Sequence, residues 1–257
     1  MNIYVLLKKT FDTEEAISVS GNQIDESGAE FIINPYDEYA VEEAIQQRDK
    51  HGGTVTVVTI GDEDSEKQLR TALAMGADDA VLINTSDDLD EGDQFTTAKI
   101  LEAFFEGKEV DLILAGNVAI DEASGQVGPR LAERLNMPFI TTIVKLDMED
   151  GMVKIDKDVE GDLEKIEVSL PVLVTCQQGL NEPRYTSLPG IMKAKKKPLE
   201  QLELDDLDLD EDDVKAKTAT ISIFLPPKKQ AGRMLVGETG EQVKELVGLL
   251  SSEAKVI

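Results

Sequence analysis

One run of residues carries the clearest chemical signal: Gly116-Asn117-Val118-Ala119-Ile120-Asp121-Glu122-Ala123-Ser124-Gly125-Gln126-Val127-Gly128, which follows a strand-like apolar stretch and leads into a helical pattern. A glycine-bearing turn from strand to helix offers backbone N–H groups and the positive helix end to an anion, so a phosphate is its natural occupant. The run lacks the Gly-Lys-Ser/Thr of a Walker A loop and the Gly-x-Gly-x-x-Gly of a dinucleotide fingerprint. Nor does it lead into the glycine-and-hydroxyl pair of ATP-binding stress-type domains, because Pro138-Phe139 stands there. The reading is nucleotide binding without hydrolytic equipment; the alternative is a plain turn.

Asn34-Pro35-Tyr36-Asp37 opens another helix. Asn is a preferred N-cap, Pro suits the first helical position, and Asp37 can complete a capping-box-like arrangement. That is an ordinary helix start, or else a helix end at the carboxyl edge of a sheet, where open α/β folds bind ligands. His51 closes a helix before Gly52-Gly53, where a cation is favourable. Cys176 ends an apolar strand and reads as a small buried hydrophobe. Neither has a triad partner, and no carboxylates stand out as a catalytic pair. A catalytic residue is therefore not expected, and one histidine and one cysteine exclude the usual Cys/His zinc site.

A third stretch reads Leu180-Asn181-Glu182-Pro183-Arg184-Tyr185-Thr186-Ser187-Leu188-Pro189-Gly190-Ile191-Met192-Lys193-Ala194-Lys195-Lys196-Lys197. It mixes apolar anchors with an arginine and a lysine cluster in what reads as an exposed loop. That suits docking on a partner, or equally a solvated linker.

These groups need elements to place them. Apolar runs at 3–7, 54–60, 80–83 and 110–115 are continuous rather than alternating, as in a parallel sheet buried on both faces. Helical patterns near 36–50, 64–75, 94–106 and 122–135 lie between them, so the class is α/β: a mostly parallel, helix-covered, Rossmann-like sheet. Residues 141–148 and 152–156, joined through Glu149-Asp150-Gly151, form an expected antiparallel hairpin; 163–170 and 171–175 follow as strands. Eight of the eleven residues from 203 to 213 are acidic, which predicts an extended arm or linker. Residues 219–225 read as a strand. A last helix near 238–251 sets Val243, Leu246, Val247 and Leu250 on one face. The division expected is 1–190 as the nucleotide-binding domain and 191–257 as an extended C-terminal arm that docks on a partner.

The 257 residues suffice for one large domain or two small ones. Acids outnumber bases 52 to 26, and the net charge of −26 argues against a nucleic-acid binder. A single cysteine excludes an intrachain disulfide and suits a reducing compartment. No apolar run approaches the ~20 residues of a membrane span. The chain opens straight into its first strand-like run without a leader pattern. A soluble, acidic protein of the cytoplasm is expected.

The 180–197 stretch closely resembles the recognition loop of electron transfer flavoprotein beta subunits. The resemblance extends along almost the whole chain, through residues 34–38, Leu69-Arg70-Thr71-Ala72-Leu73-Ala74-Met75-Gly76-Ala77-Asp78, Ala119-Ile120-Asp121 with Gln126-Val127-Gly128, and residues 155–166 followed by 171–175. It implies a non-catalytic carrier subunit in a heterodimer whose alpha subunit holds most of the FAD site. AMP contacts are then expected at Leu6, at Asn34, Pro35, Tyr36 and Asp37, at Ile60, and from Gly116 through Val127. Docking on acyl-CoA dehydrogenases is expected through Leu188 as anchor, with Arg184, Tyr185, Pro189, Ile191, Met192, Lys193, Lys195, Lys196 and Lys197 around it. Electrons would leave to a quinone oxidoreductase of the membrane, as in fatty acid beta-oxidation. In some members an aromatic follows the Asp of the segment 8–13 near the flavin; here it is Thr13. Two other readings remain: a flavin-bifurcating member with FAD in place of AMP, or a free-standing stress-type nucleotide sensor.

Overall fold

Unbroken runs of β-branched and aliphatic residues become the middle of a sheet in a computed structural model of the protein, which describes every residue except 87, 88, 90, 91, 150 and 230. From the amino terminus the elements are β1 (Asn2–Leu6), β2 (Lys9–Phe11), β3 (Ser18–Ser20), β4 (Gln23–Asp25), β5 (Phe31–Ile33), α1 (Pro35–His51), β6 (Thr54–Gly61), α2 (Glu66–Met75), β7 (Asp79–Asn84), α3 (Gln94–Phe105), β8 (Leu112–Gly116), α4 (Val127–Arg134), β9 (Phe139–Glu149), β10 (Met152–Val159), β11 (Asp162–Ser169), β12 (Val172–Cys176), α5 (Leu188–Ala194), β13 (Leu199–Leu202), α6 (Glu211–Val214) and α7 (Thr239–Ser252). They fall into two units: Met1–Ile17 with Glu26–Ile221, and Ser18–Asp25 with Ser222–Ile257.

In the first unit the described residues form a nine-stranded sheet in the order β11-β10-β9-β12-β8-β1-β6-β7-β13. Its strands pair in parallel except along one edge, where β10 pairs antiparallel with both β9 and β11. Central β1 lies between β8 and β6, with Val5 opposite Leu114 and Val57. Alternate side chains take opposite faces, as the strand period requires. Ile3 and Val5 pack toward Val41 and Ile45 of α1 and Leu69 and Leu73 of α2. Tyr4 and Leu6 pack toward Ile100, Leu101, Phe104 and Phe105 of α3, and the Tyr4 ring meets Phe105 edge-on at 5.1 Å. The expected class, a mostly parallel α/β sheet with an added hairpin, is what forms.

Three local expectations change. The helix expected from 122 begins only at Val127, because Ala123 and Gly125 have φ values of 52° and 60°, which a helix cannot contain. The acidic stretch does not hang free as a linker. Leu204, Leu209 and Val214, spaced between the carboxylates, are buried with the α3 and α4 side chains, and Thr96 Oγ1 donates to the Val214 carbonyl at 2.7 Å. Residues 219–225 form no strand, since β propensity yields one only where a ladder is available. The expected hairpin joins β9 to β10, but Asp150 of its turn lies outside the described residues. His51 ends α1 and Cys176 is fully buried, as expected.

The second unit comprises the β3–β4 hairpin and the last segment with α7. The Ile223 N–H donates to Asn22 Oδ1 at 2.8 Å, and Arg233 pairs with Glu245 at 2.6 Å. Glu238 and Glu241 form a capping box at the start of α7, whose Val243, Leu246 and Val247 are exposed. Among the described residues no helix is long and apolar enough to cross a membrane.

Candidate functional site

β1 runs through α1 to β6 on one side, and β7 runs through α3 to β8 on the other, so the connections diverge at the carboxyl ends of β1 and β8. Open α/β sheets place their ligands at such a switch point. A cleft opens there. Leu6, Val58, Ile60 and Leu101 give it an apolar wall, and the residues after β8 give it a polar rim.

α1 builds the rim by an unexpected use of its first turn. Asn34 is the N-cap residue, yet its side chain does not cap the helix. Its Nδ2 donates to the Val118 carbonyl and to Asp37 Oδ1, both at 2.9 Å, and its Oδ1 accepts from the Ile120 N–H at 3.2 Å. Asp37 makes no capping box either. Its Oδ1 accepts from the Gly116 N–H at 2.9 Å and its Oδ2 from the Lys8 N–H at 2.7 Å, so one carboxyl clasps the ends of β8 and β1. Burial pushes the Asp37 carboxyl up to about 7, against the donors from Asn34, Lys8 and Gly116, which favour the charged form. Gly116 is required here. A Cβ would strike Asp37 Oδ1 and lie 3.0 Å from Asn34 Nδ2.

The loop 117–126 then returns to α4. Asn117 Oδ1 accepts from Thr175 Oγ1 at 3.1 Å. No side chain caps the start of α4, whose first two residues, Val127 and Gly128, line the cleft and keep their N–H groups as donors beside the positive helix end. Gly128 lets α4 approach β12, since a Cβ would stand 2.9 Å from Thr175 Cγ2. Lys8 Nζ lies 2.9 Å from both Asp121 and Glu122, and Gln94 Nε2 donates to Glu122 at 3.0 Å.

Of the residues singled out in the sequence, Leu6, Asn34, Asp37, Ile60, Gly116, Asn117, Val118, Ala119, Glu122, Ser124, Gly125, Gln126 and Val127 line this cleft. Pro35, Tyr36, Ile120, Asp121 and Ala123 do not; they shape the helix start and the loop behind it. Gly128, at the end of the glycine-bearing run, lines it too, and Leu7, Lys8, Val58, Gly92, Asp93, Gln94, Thr97, Leu101 and Ala115 also line it and were missed. Lys8, directly after β1, could have been found from its place at a strand's carboxyl end. Asp93, Gln94, Thr97 and Leu101 depend on α3 crossing over the sheet. Among the described residues no cluster of three or more His, Cys, Asp or Glu could hold a metal. The arrangement can grip an anion with backbone donors and cover a flat apolar group.

The 184–197 stretch forms a separate surface. Expected as a loop, it contains the helix α5, capped by Ser187 Oγ, which accepts from the Gly190 N–H at 3.1 Å. Tyr185, Leu188 and Met192 are 99, 80 and 72 % exposed, and Pro189, Ile191, Lys193, Lys195 and Lys196 are exposed around them. Two of the cations turn inward. Arg184 pairs with Glu42 at 2.6 Å, and Lys197 Nζ donates to the Leu73 and Ala77 carbonyls. From α2, Arg70 donates to the Ala194 and Lys197 carbonyls at 2.9 Å, mounting α5 from below.

A model of the electron transfer flavoprotein domain matches residues 21–207. The chain belongs to the electron transfer flavoprotein family. It is 65 % identical over 257 residues to the electron transfer flavoprotein subunit beta of Bacillus subtilis, covering the whole of both chains. It is 39 % identical to the subunit of the same name from Thermoanaerobacterium thermosaccharolyticum, over 98 % of each chain. It is also 36 % identical to the caffeyl-CoA reductase-Etf complex subunit CarD of Acetobacterium woodii, over 99 % of this chain and 98 % of that one. The resemblance drawn from motifs is thus a family membership, and its place is electron transfer.

Proposed function

We propose that this chain is the beta-type subunit of an electron transfer flavoprotein pair, a carrier rather than an enzyme, that holds AMP in the cleft beside Gly116 and α4. One observation carries the reading: an α4 N-terminus without a side-chain cap, whose Val127 and Gly128 line the same cleft as the apolar Leu6, Val58, Ile60 and Leu101. The N–H groups of the first turn of α4 take the phosphate, and Leu6, Val58, Ile60 and Leu101 take the adenine. FAD, held mainly by an alpha-type partner, supplies the electron-carrying chemistry of the pair. The exposed apolar face of α7 suits a place on that partner, with the last segment, from Ser222 onward, as the arm that reaches it.

Docking on acyl-CoA dehydrogenases falls to Leu188, with Tyr185, Pro189, Ile191 and Met192 beside it and Lys193, Lys195 and Lys196 at the rim. Delivery to a membrane quinone oxidoreductase and a cytoplasmic site of action belong to the same reading. Acid extraction of the purified pair should release about one AMP and one FAD. Two FAD and no AMP would replace the carrier with a bifurcating member, the alternative that the similarity to the Acetobacterium chain supports. This chain expressed alone should be colourless; a stoichiometric yellow monomer refutes the assignment of FAD to the partner.

A further inference from the structure

The docking segment leaves the body of the protein by way of a buried carboxylate. Glu42, in the second turn of α1, is 5 % exposed in its side chain. It accepts from Arg184 at three points: Nε donates at 2.6 Å, a terminal nitrogen at 2.9 Å and the backbone N–H at 3.2 Å. Gln46 Nε2 donates to the same carboxylate at 2.9 Å and fixes its plane. Next to it, Glu43 and the Tyr39 carbonyl each accept from Asn181 Nδ2 at 3.0 Å. Burial works to raise the Glu42 carboxyl, but the hydrogen bonds and charge of Arg184 outweigh it and hold the group below its ordinary value. Immediately after this hold comes Tyr185, almost wholly exposed, and three residues later Leu188.

A two-point arginine–carboxylate pair fixes geometry as well as energy. As a device for stability alone it is poor, because apolar residues of the same volume often do as well. Its distinctive effect is on where the chain emerges. We propose that Glu42 is a positioning residue for docking: it holds Arg184 so that Tyr185 and Leu188 leave the surface at a set point, and Arg184 serves this hold rather than the partner's surface. The proposal rests on the docking reading above. A segment already ordered loses less freedom on association, so loosening it weakens encounter without touching the electron-transfer step.

The test uses the intact heterodimer as electron acceptor for an acyl-CoA dehydrogenase, with KM and kcat measured separately, and flavin content and Tm alongside. Glu42→Gln and Arg184→Gln should each raise KM about tenfold with kcat near wild type, and the double variant should be no worse than either alone. Arg184→Lys keeps the charge but loses the two-point hold, so it should resemble Arg184→Gln. Asn181→Ala frees the same segment without touching the Glu42–Arg184 pair, although it takes one donor from Glu43, and should raise KM even if Glu42→Gln folds poorly. The proposal is overturned if Arg184→Gln raises KM while Glu42→Gln and Arg184→Lys stay near wild type, since Arg184 then acts as a charge on the partner. It is also overturned if Leu188→Ala raises KM and none of the Glu42, Arg184 and Asn181 variants does, although docking through α5 then stands. If Leu188→Ala leaves KM unchanged, the docking reading falls and takes the positioning proposal with it.

Discussion

Asp37 Oδ1 accepts the backbone N–H of Gly116 at 2.9 Å, joining the first turn of α1 to the last residue of β8. The contact is close enough that a single methyl group breaks it, because a Cβ on Gly116 would occupy the carboxylate's place. Gly116→Ala should destabilise the chain by about 1–3 kcal/mol, the usual range for overpacking. It should also sharply reduce the nucleotide recovered after acid extraction. Retention of wild-type nucleotide content would show that the cleft lies elsewhere.

The same carboxyl ties stability to pH. Its ordinary value is 3.8 and burial lifts it to about 7 in the folded chain. Between those values the folded state keeps a proton that the unfolded chain has released. The contribution is therefore full below about pH 4 and gone above about pH 7, on the order of a few kcal/mol in total. Urea unfolding of wild type and Asp37→Asn at intervals from pH 4 to 8 isolates it. The difference in unfolding free energy between the two should change across that window in the direction that costs wild type stability as pH rises. A constant difference removes Asp37 as the titrating group.

Asp93 works in the opposite sense. Burial would raise it, but donors from Thr96, Lys217 and Thr218 outweigh that and hold its carboxyl well below the usual range. It caps α3 and receives the Lys217 and Thr218 N–H groups at 2.8 and 2.9 Å. A depressed folded value means its stabilisation is complete above the unfolded value near 3.8 and is lost as pH falls through the folded one. Asp93→Ala should cost about 0.5–2 kcal/mol at neutral pH, as for other caps. Asp93→Asn should lie below wild type at pH 7 and converge on it in acid. An unchanged gap at pH 3 would contradict this.

Leu188 stands 80 % exposed at the first position of α5, where it fills no core. Burying a leucine is worth roughly 1.5–3 kcal/mol. Leu188→Ala should therefore weaken dehydrogenase-driven reduction of the pair by about one to two orders of magnitude. Dithionite reduction, flavin content and Tm should stay near wild type. Loss of both reduction routes together would mean that α5 is a structural element.

How much of this could be read from residue order depends on distance along the chain. The parallel sheet was legible because runs such as 54–60 and 110–115 are apolar on both faces. The glycine-bearing loop that lines the cleft was legible because it follows directly on a strand end. Asn34 and Asp37 looked like helix-capping residues, and only folding brings Gly116 and Ile120 within their reach, some eighty residues away. Asp93, Thr97 and Leu101 join the cleft through the crossing of α3, which no local pattern announces. In the acidic stretch, charge concealed three apolar residues that find a buried face. In the 180–197 stretch the exposed apolar residues were visible, but the bonds that Arg184 and Lys197 make to the body were not, because their acceptors lie on α1 and in and just after α2.

Cys176 sits at the end of β12, between β8 and β9, with no exposed surface, and burial raises its thiol far above the ordinary value. As the single thiol of the chain, it is a stopwatch for strand separation. A thiol reagent at neutral pH can reach it only when the middle of the sheet parts, so labelling speed reports how often that happens. Gly116→Ala, which disturbs β8 next door, should start the stopwatch early. Leu188→Ala, out on α5, should leave it running at wild-type pace.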